Sequence, residues 1–228
     1  DKILLGWNTL TAKGLFEAYN TFGEQNYLEL AQQNMSFIES NMKMGNQLYR
    51  NFKNNKPSIE AYLEDYALYI EALIVAYQTT FDVHYLNSAN ELTTYVISNF
   101  YDAEEGMFFY TNNEGEELIA RKKEIFDNVI PSSNSVMATN LQQLGIIMDN
   151  EEYKKISLEM LAQISSILVS NTSYLSNWAS LYNSAIRPLP EIVIVGKEAQ
   201  EFRSELASEY IPNKVLMGSI SSSNLPLL

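Results

Sequence analysis

The chain of 228 residues contains no cysteine and a single histidine, His84. The first absence removes disulfides, thiolate metal sites and cysteine nucleophiles from this segment. It does not by itself fix a compartment. The second excludes histidine-pair base chemistry, a multi-histidine zinc site and an internal Ser-His-Asp triad. His84 falls in a turn between two helices and reads as a surface residue. Basic residues are also scarce, 15 against 28 acidic, and they are scattered. The net charge of −13 therefore argues against a nucleic-acid surface, which needs clustered Lys and Arg to neutralise phosphates. No run approaches the roughly 20 apolar residues of a membrane helix. The expectation is a soluble chain with no nucleic-acid or membrane partner, cytoplasmic if anything, although these residues leave the compartment open.

What is present is a hydrophobic content of 46% with 12% aromatics, ample for a core. It is arranged as a repeat. Thr21-Phe22-Gly23-Glu24-Gln25-Asn26-Tyr27-Leu28 resembles Thr80-Phe81-Asp82-Val83-His84-Tyr85-Leu86 and, more weakly, Met148-Asp149-Asn150-Glu151-Glu152-Tyr153. Each is a tight link followed by an aromatic. Upstream of these aromatics, by 19, 19 and 18 residues, stand Asn8, Tyr66 and Ser135, each at the start of a helix-like segment. Three helix hairpins are predicted.

Within each unit the two helices differ in apolar pattern. The second helices are amphipathic, as in Tyr85, Ala89, Leu92, Val96 and Phe100 or Tyr153, Ile156, Met160, Ile164 and Leu168, and should form an outer ring. The segment Tyr66 to Tyr77 is apolar almost all round and should line an inner ring. Trp7 to Phe22 and Ser135 to Met148 keep polar stripes and are placed inside by the repeat.

Links within units are short, whereas those between units, Lys43 to Glu64 and Tyr101 to Ser133, are long, as functional loops tend to be. Both have hairpin character. Gln47 to Phe52 precedes the turn Asn54-Asn55. Met107 to Tyr110 and Glu117 to Ala120 flank Asn112-Asn113-Glu114-Gly115. Tyr174 to Ile186 reads as a fourth inner helix, stopped by Arg187-Pro188-Leu189-Pro190. Glu191 to Gly196, Glu198 to Tyr210 and Asn213 to Met217 then read as strand, helix and strand. The fold expected is mainly α: half of a toroid of helix hairpins over 1–187, with two β-hairpin loops, a small βαβ appendage over 188–220 and a tail over 221–228. Inner helices at the edges of a half toroid would expose apolar surface, so pairing with a second copy is expected. The chain opens without an initiator methionine or a signal pattern, and upstream sequence is expected.

Candidate chemistry lies where the long loops meet the inner helices. Asp65 and Asp127, at successive loop-to-helix entries, are candidate acid and base groups. They would flank one glycosidic bond if their separation allowed it. Asp65 and Asn134 are equally good as helix N-caps. Trp7, Asn8, Glu64, Tyr66, Ser132 and Ser135 stand at the same entries as ligand-binding candidates. Tyr49, Phe52, Tyr62, Phe108, Phe109 and Phe126 are candidate sugar platforms, or simply loop packing. Arg50 and Arg121 could hold an anion bidentately or form ordinary ion pairs. No metal and no cofactor is expected. Gly196-Lys197 lacks the rest of any phosphate-loop pattern.

Four ordered motifs carry a resemblance: Leu4-Leu5-Gly6-Trp7-Asn8, Tyr62-Leu63-Glu64-Asp65-Tyr66-Ala67, Arg121-Lys122-Lys123-Glu124-Ile125-Phe126-Asp127 and Ile130-Pro131-Ser132-Ser133-Asn134-Ser135. Together they resemble the spermatogenesis-associated thioredoxin-like family. The resemblance implies an (α/α)6 toroid of the six-hairpin glycosidase type, preceded by a thioredoxin-like domain as partner. It implies a likeness to N-acylglucosamine 2-epimerase and cellobiose epimerase barrels, whose isomerisation uses histidines that this rim lacks. The family motifs fall on Trp7, Asn8, Asp65, Tyr66, Arg121, Lys123, Asp127, Pro131, Ser132, Asn134 and Ser135. Lys122 departs from a usual proline and Ser133 from a usual glycine. Two functions are implied: a site for a sugar-like small molecule on the loop rim, of hydrolase or isomerase type, or a non-catalytic binding or scaffold module attached to a redox-type domain.

Overall fold

The tight links work because each joins a residue that accepts left-handed backbone to one that starts the next helix. In the computed structural model, which describes residues 1–113, 121–187, 189–221, 223 and 225–228, helix α1 (Leu5–Phe22) ends at Gly23 with φ 71°. Helix α2 (Gln25–Asn41) follows at once. Helix α3 (Leu63–Thr80) ends at Phe81 with φ 58°, and Asp82 then caps α4 (Val83–Phe100) by accepting from the His84 amide. Helix α5 (Ser133–Ile147) is followed by Asn150, which caps α6 (Glu151–Leu168) through the Glu152 and Tyr153 amides. Such caps satisfy amides that have no partner inside the helix. Helix α7 (Ser176–Ile186) is a fourth inner helix, preceded by a 3-10 turn over Thr172–Tyr174 that shortens the predicted segment.

The inner helices lie side by side, α1 on α3, α3 on α5 and α5 on α7, while α2, α4 and α6 each back their hairpin partner. This layering explains the burial pattern. Helix α3 has neighbours on both flanks and behind, so Tyr66 to Ile70, Ala72 to Ile74, Ala76 and Tyr77 are all buried. Each fully buried Leu or Ile there contributes about 1.5–3 kcal/mol. The exceptions, Glu71, Val75 and Gln78, recur at helical spacing and face the concave side with Lys13 and Glu17 of α1 and Gln143 of α5. Polar side chains lock helices to one another, both within a hairpin and between hairpins. Asn140 Nδ2 donates to the Ala67 carbonyl (2.8 Å), Ser157 Oγ to the Ala138 carbonyl (2.7 Å), and Tyr153 Oη to Asn90 Oδ1 (2.9 Å). The architecture is the partial (α/α)6 toroid expected.

The first long loop is a sheet. Strands β3 (Gln47–Lys53) and β4 (Lys56–Glu60) pair antiparallel around Asn54 and Asn55, whose φ values of 53° and 57° suit the tight turn. Two short strands also join β3, β1 (Ile3–Leu4) and β2 (Lys43–Met44), so the loop reaches back to the chain's first residues. In the second loop, β6 (Met107–Phe108) pairs with β5 (Tyr101–Asp102) across a turn at Gly106 (φ 61°). The partner expected for Met107 to Tyr110, Glu117 to Ala120, lies outside the described residues, as do Glu114, Gly115 and Pro188. The two loops meet at one end, where the Leu63 amide donates to the Tyr110 carbonyl (3.0 Å) and the Tyr62 and Tyr110 rings stack at 5.0 Å.

The appendage is a βαβ unit whose bounds differ by a few residues from those expected: β7 (Glu191–Val195), α8 (Ala199–Ala207) and β8 (Val215–Ser219), the strands parallel. It packs at the opposite end of the inner helices. Strand β8 is buried throughout against α3 and α5, its Leu216 amide donating to Gln78 Oε1 (2.8 Å), and α8 rests on α1.

Candidate functional site

At the rim, Asp65 is the third residue of α3 and reaches back to accept from the Tyr62 amide (3.1 Å). The N-cap is Tyr62, so Asp65 is the returning half of a capping box and not the cap itself. Its carboxylate is 1% exposed and also accepts from Arg50 Nη1 (2.8 Å), while Arg50 Nη2 reaches Glu64 (3.4 Å). Burial pushes the Asp65 carboxyl up to about 6, and the Arg50 charge pulls back only part of that. Neighbouring Tyr110 is pushed up to about 12, chiefly by burial and then by Glu64. The Arg50 guanidinium also lies 5.1 Å from the Tyr62 ring centre. Trp7, in the first turn of α1, is 64% exposed beside this group. Asn8 points back instead, donating to the Leu4 carbonyl (2.8 Å).

Asp127 has a different surrounding. Its Oδ1 accepts from the Ser132 amide (2.9 Å) and Ser135 Oγ (3.3 Å), its Oδ2 from the Asn177 amide (2.9 Å) and Ser176 Oγ (3.4 Å). One carboxylate thus ties the entry of α5 to that of α7. The N-cap of α5 is Ser132, whose Oγ accepts from the Ser135 amide (3.4 Å) and donates to the Ile125 carbonyl (3.1 Å). Asn134 is therefore not the cap. It is fully buried and pairs with three backbone groups: Oδ1 with the Phe108 amide (2.8 Å), Nδ2 with the carbonyls of Phe108 and Glu124 (both 2.9 Å).

The remaining predicted residues hold the loops. Tyr66 is buried and turned outward, its hydroxyl accepting from the Leu48 amide (2.9 Å) and its ring stacked on Tyr95 at 5.5 Å. Lys123 pairs with Asp102 (2.5 Å) and Glu105 (2.6 Å). Arg121 covers the Phe109 ring at 3.9 Å and donates to the Thr111 carbonyl. Three polar anchors escaped the sequence reading: Asn177, Asn140 and Trp178, whose Nε1 donates to the Ile125 carbonyl (2.9 Å). Their helices gave no local signal, because the partners are distant in sequence. His84 sits far from the rim, 3.1 Å from Glu39.

Asp65 and Asp127 open onto separate clefts. The first is lined by Gly6, Trp7, Arg50, Glu64 and Leu68 and has a volume of about 10 Å³, room for one water. The second runs from Asp127 to Pro131 and across to Asn177, about 240 Å³ and open. Ile130 lies in the wall of both. Among the described residues no group of three or more acidic or histidine side chains could hold a metal. None of the described helices is long and apolar enough to cross a membrane.

The helix layers and the loop rim define part of a toroid of the kind found in six-hairpin glycosidases and sugar epimerases. A family 76 α-mannanase from Bacteroides thetaiotaomicron superposes with a TM-score of 0.63 at 16% identity, over 99% of this chain and 64% of its own. Cellobiose 2-epimerase from Bacillus thermoamylovorans gives 0.60 at 16% identity, over 71% and 44%. No family model matches the sequence. In sequence, the chain is a homologue of spermatogenesis-associated protein 20, as its four motifs implied: the Rattus norvegicus protein is 26% identical over 249 residues, covering all of this chain and 32% of the relative. The chain thus spans about a third of the length of that curated relative.

Proposed function

We propose that the loop rim binds a sugar-like small molecule, with Asp65 as the group that moves a proton. The observation that carries this reading is a buried carboxylate at the entry of the central inner helix, held up to about 6 beside an exposed tryptophan. A carboxyl in that range is about one-tenth protonated at pH 7 and can serve as acid or base. Arg50 fixes its orientation and, with Glu64, offers polar groups to ligand hydroxyls. Because the Asp65 cleft is smaller than a sugar ring, the ring would lie outside it, its C–H face on Trp7. Asp127, with hydrogen bonds on both oxygens, would act chiefly by holding the α5 and α7 entries in place, with Ser132, Asn134 and Ser135. A role for Asp127 as the second acid-base group is the stronger form of the same proposal.

The neighbours' names, a cellobiose epimerase and an α-mannanase, suggest cellobiose and a mannose disaccharide as first probes. Titration calorimetry on this chain, followed by turnover assays, should give binding that Trp7→Ala removes and turnover that Asp65→Asn abolishes. A second reading, a non-catalytic binding or scaffold module working with a redox-type domain elsewhere in the polypeptide, is favoured by the extent to which Asp127, Asn134 and Lys123 serve the loops. Binding without turnover, indifferent to Asp65→Asn and Asp127→Asn, would select it.

A further inference from the structure

A large hollow lies at the other end of the inner helices. It lies between their concave face and the appendage and has a volume of about 520 Å³, within the range of small-molecule sites. Its walls carry two cations that no carboxylate neutralises among the described residues. Arg203 of α8 is 2% exposed; its guanidinium donates to Gln200 Oε1 (3.0 Å), Asn20 Oδ1 (2.8 Å) and Ser204 Oγ (3.0 Å) and lies 5.3 Å from the Tyr19 ring centre, all neutral groups. Lys214, between α8 and β8, donates to the Ile211 carbonyl (3.3 Å). The third cation of the hollow differs, since Lys13 is paired with Glu71 at 2.5 Å.

A buried guanidinium without a counter-charge is costly, because neutral acceptors replace water but leave the charge uncompensated. Burial lowers the Arg203 pKa accordingly. The missing partner would be an anion, and the guanidinium fork is suited to a carboxylate or phosphate. Exposed Glu17 and Glu209 also line the hollow, and as acceptors they match hydroxyl groups on the same molecule.

We propose that this hollow is a second ligand site, separate from the rim, which takes a small hydroxylated molecule bearing an oxyanion held by Arg203 and Lys214. D-gluconate and D-sorbitol differ at one carbon, carboxylate against alcohol, and so isolate the charge. Titrated into the protein at constant ionic strength, gluconate should bind at least tenfold more tightly than sorbitol. Arg203→Gln and Lys214→Met should each remove that preference, while Trp7→Ala and Asp65→Asn at the rim leave it intact. If Arg203→Gln does not fold, Lys214→Met decides alone, since its side chain makes one backbone contact. Inorganic phosphate as a third titrant identifies the source: tighter phosphate binding, again lost in Lys214→Met, assigns a phosphate-bearing ligand, and weaker binding a carboxylate. Gluconate no tighter than sorbitol with phosphate also failing to bind, or anion binding unchanged in Lys214→Met, would overturn the proposal.

Discussion

The two ends of the inner helices use polar side chains in opposite ways. At the N-terminal rim, Asp127 accepts from the amides that open two inner helices, and Asn134 bridges a loop amide and two loop carbonyls. At the C-terminal end, Arg203 and Lys214 border an open hollow with their charges unmatched. The contrast has a physical source. Helix N-termini present orphan amides that acidic and amide side chains satisfy, so rim residues that look catalytic are drawn into structural bonds. At the far end the inner helices present carbonyls, the outer helices' amides are met locally by caps such as Asp82 and Asn150, and the appendage leaves space beside Arg203 and Lys214.

The sharpest test of this contrast is Asn134→Ala. It strips the side-chain partners from the Phe108 amide and carbonyl, at about 1–3 kcal/mol for each group left unsatisfied, and leaves the Glu124 carbonyl only its 3.4 Å bond from the backbone amide of residue 134. A loss of about 4 kcal/mol in urea unfolding is expected, and a loss below about 1 would mean that the rim is not held this way. Next is Gly218→Ala in β8. A Cβ there would lie 2.3–2.6 Å from the Phe81 ring, which is fixed at the left-handed end of α3. Overpacking should cost about 3 kcal/mol. Hydrogen exchange should rise first in β7 and β8, and a uniform rise across the inner helices would contradict a separately docked appendage.

Asp65 yields a pH prediction. Its carboxyl titrates near 6 in the folded chain and near 3.9 when unfolded, so the native state binds the extra proton between these values. The stability it contributes is present below about pH 4 and is lost as pH rises through 6, a fall of about 3 kcal/mol over the full titration. Asp65→Asn keeps an acceptor for the Tyr62 amide and should flatten that slope, as denaturation at pH 4, 5, 6 and 7 will reveal. The smallest effect on stability is expected for Trp7→Ala, within about 0.5 kcal/mol because the ring is exposed. Its effect should fall on sugar binding at the rim, and unchanged binding would remove Trp7 from the site.

The helix hairpins were legible because periodicity and tight links are local. Asp82 and Asn150 cap the outer helices where the repeat placed them, and the burial of Leu86, Ala89, Leu92, Val96 and Phe100 follows the amphipathic pattern. The rim was legible as a set of residues, but their tasks were not. Tyr66 looked like a pocket wall and proved to be the clamp that receives the Leu48 amide. Asn134 looked like a cap and proved to be a bridge to Phe108. Arg203 gave no signal at all, since an arginine on an amphipathic helix ordinarily lies in solvent.

The sequence by itself determined the order of helices, which of them lie inside, and the one rim on which the motifs of the resemblance gather, because spacing and turn chemistry act over a few residues. Only the tertiary structure decided that Asp65 and Asp127 open onto different clefts, and that the appendage folds under α3 and α5 to enclose a charged hollow. Those outcomes depend on contacts between residues such as Asn20 and Arg203, far apart along the chain, whose meeting no local pattern encodes.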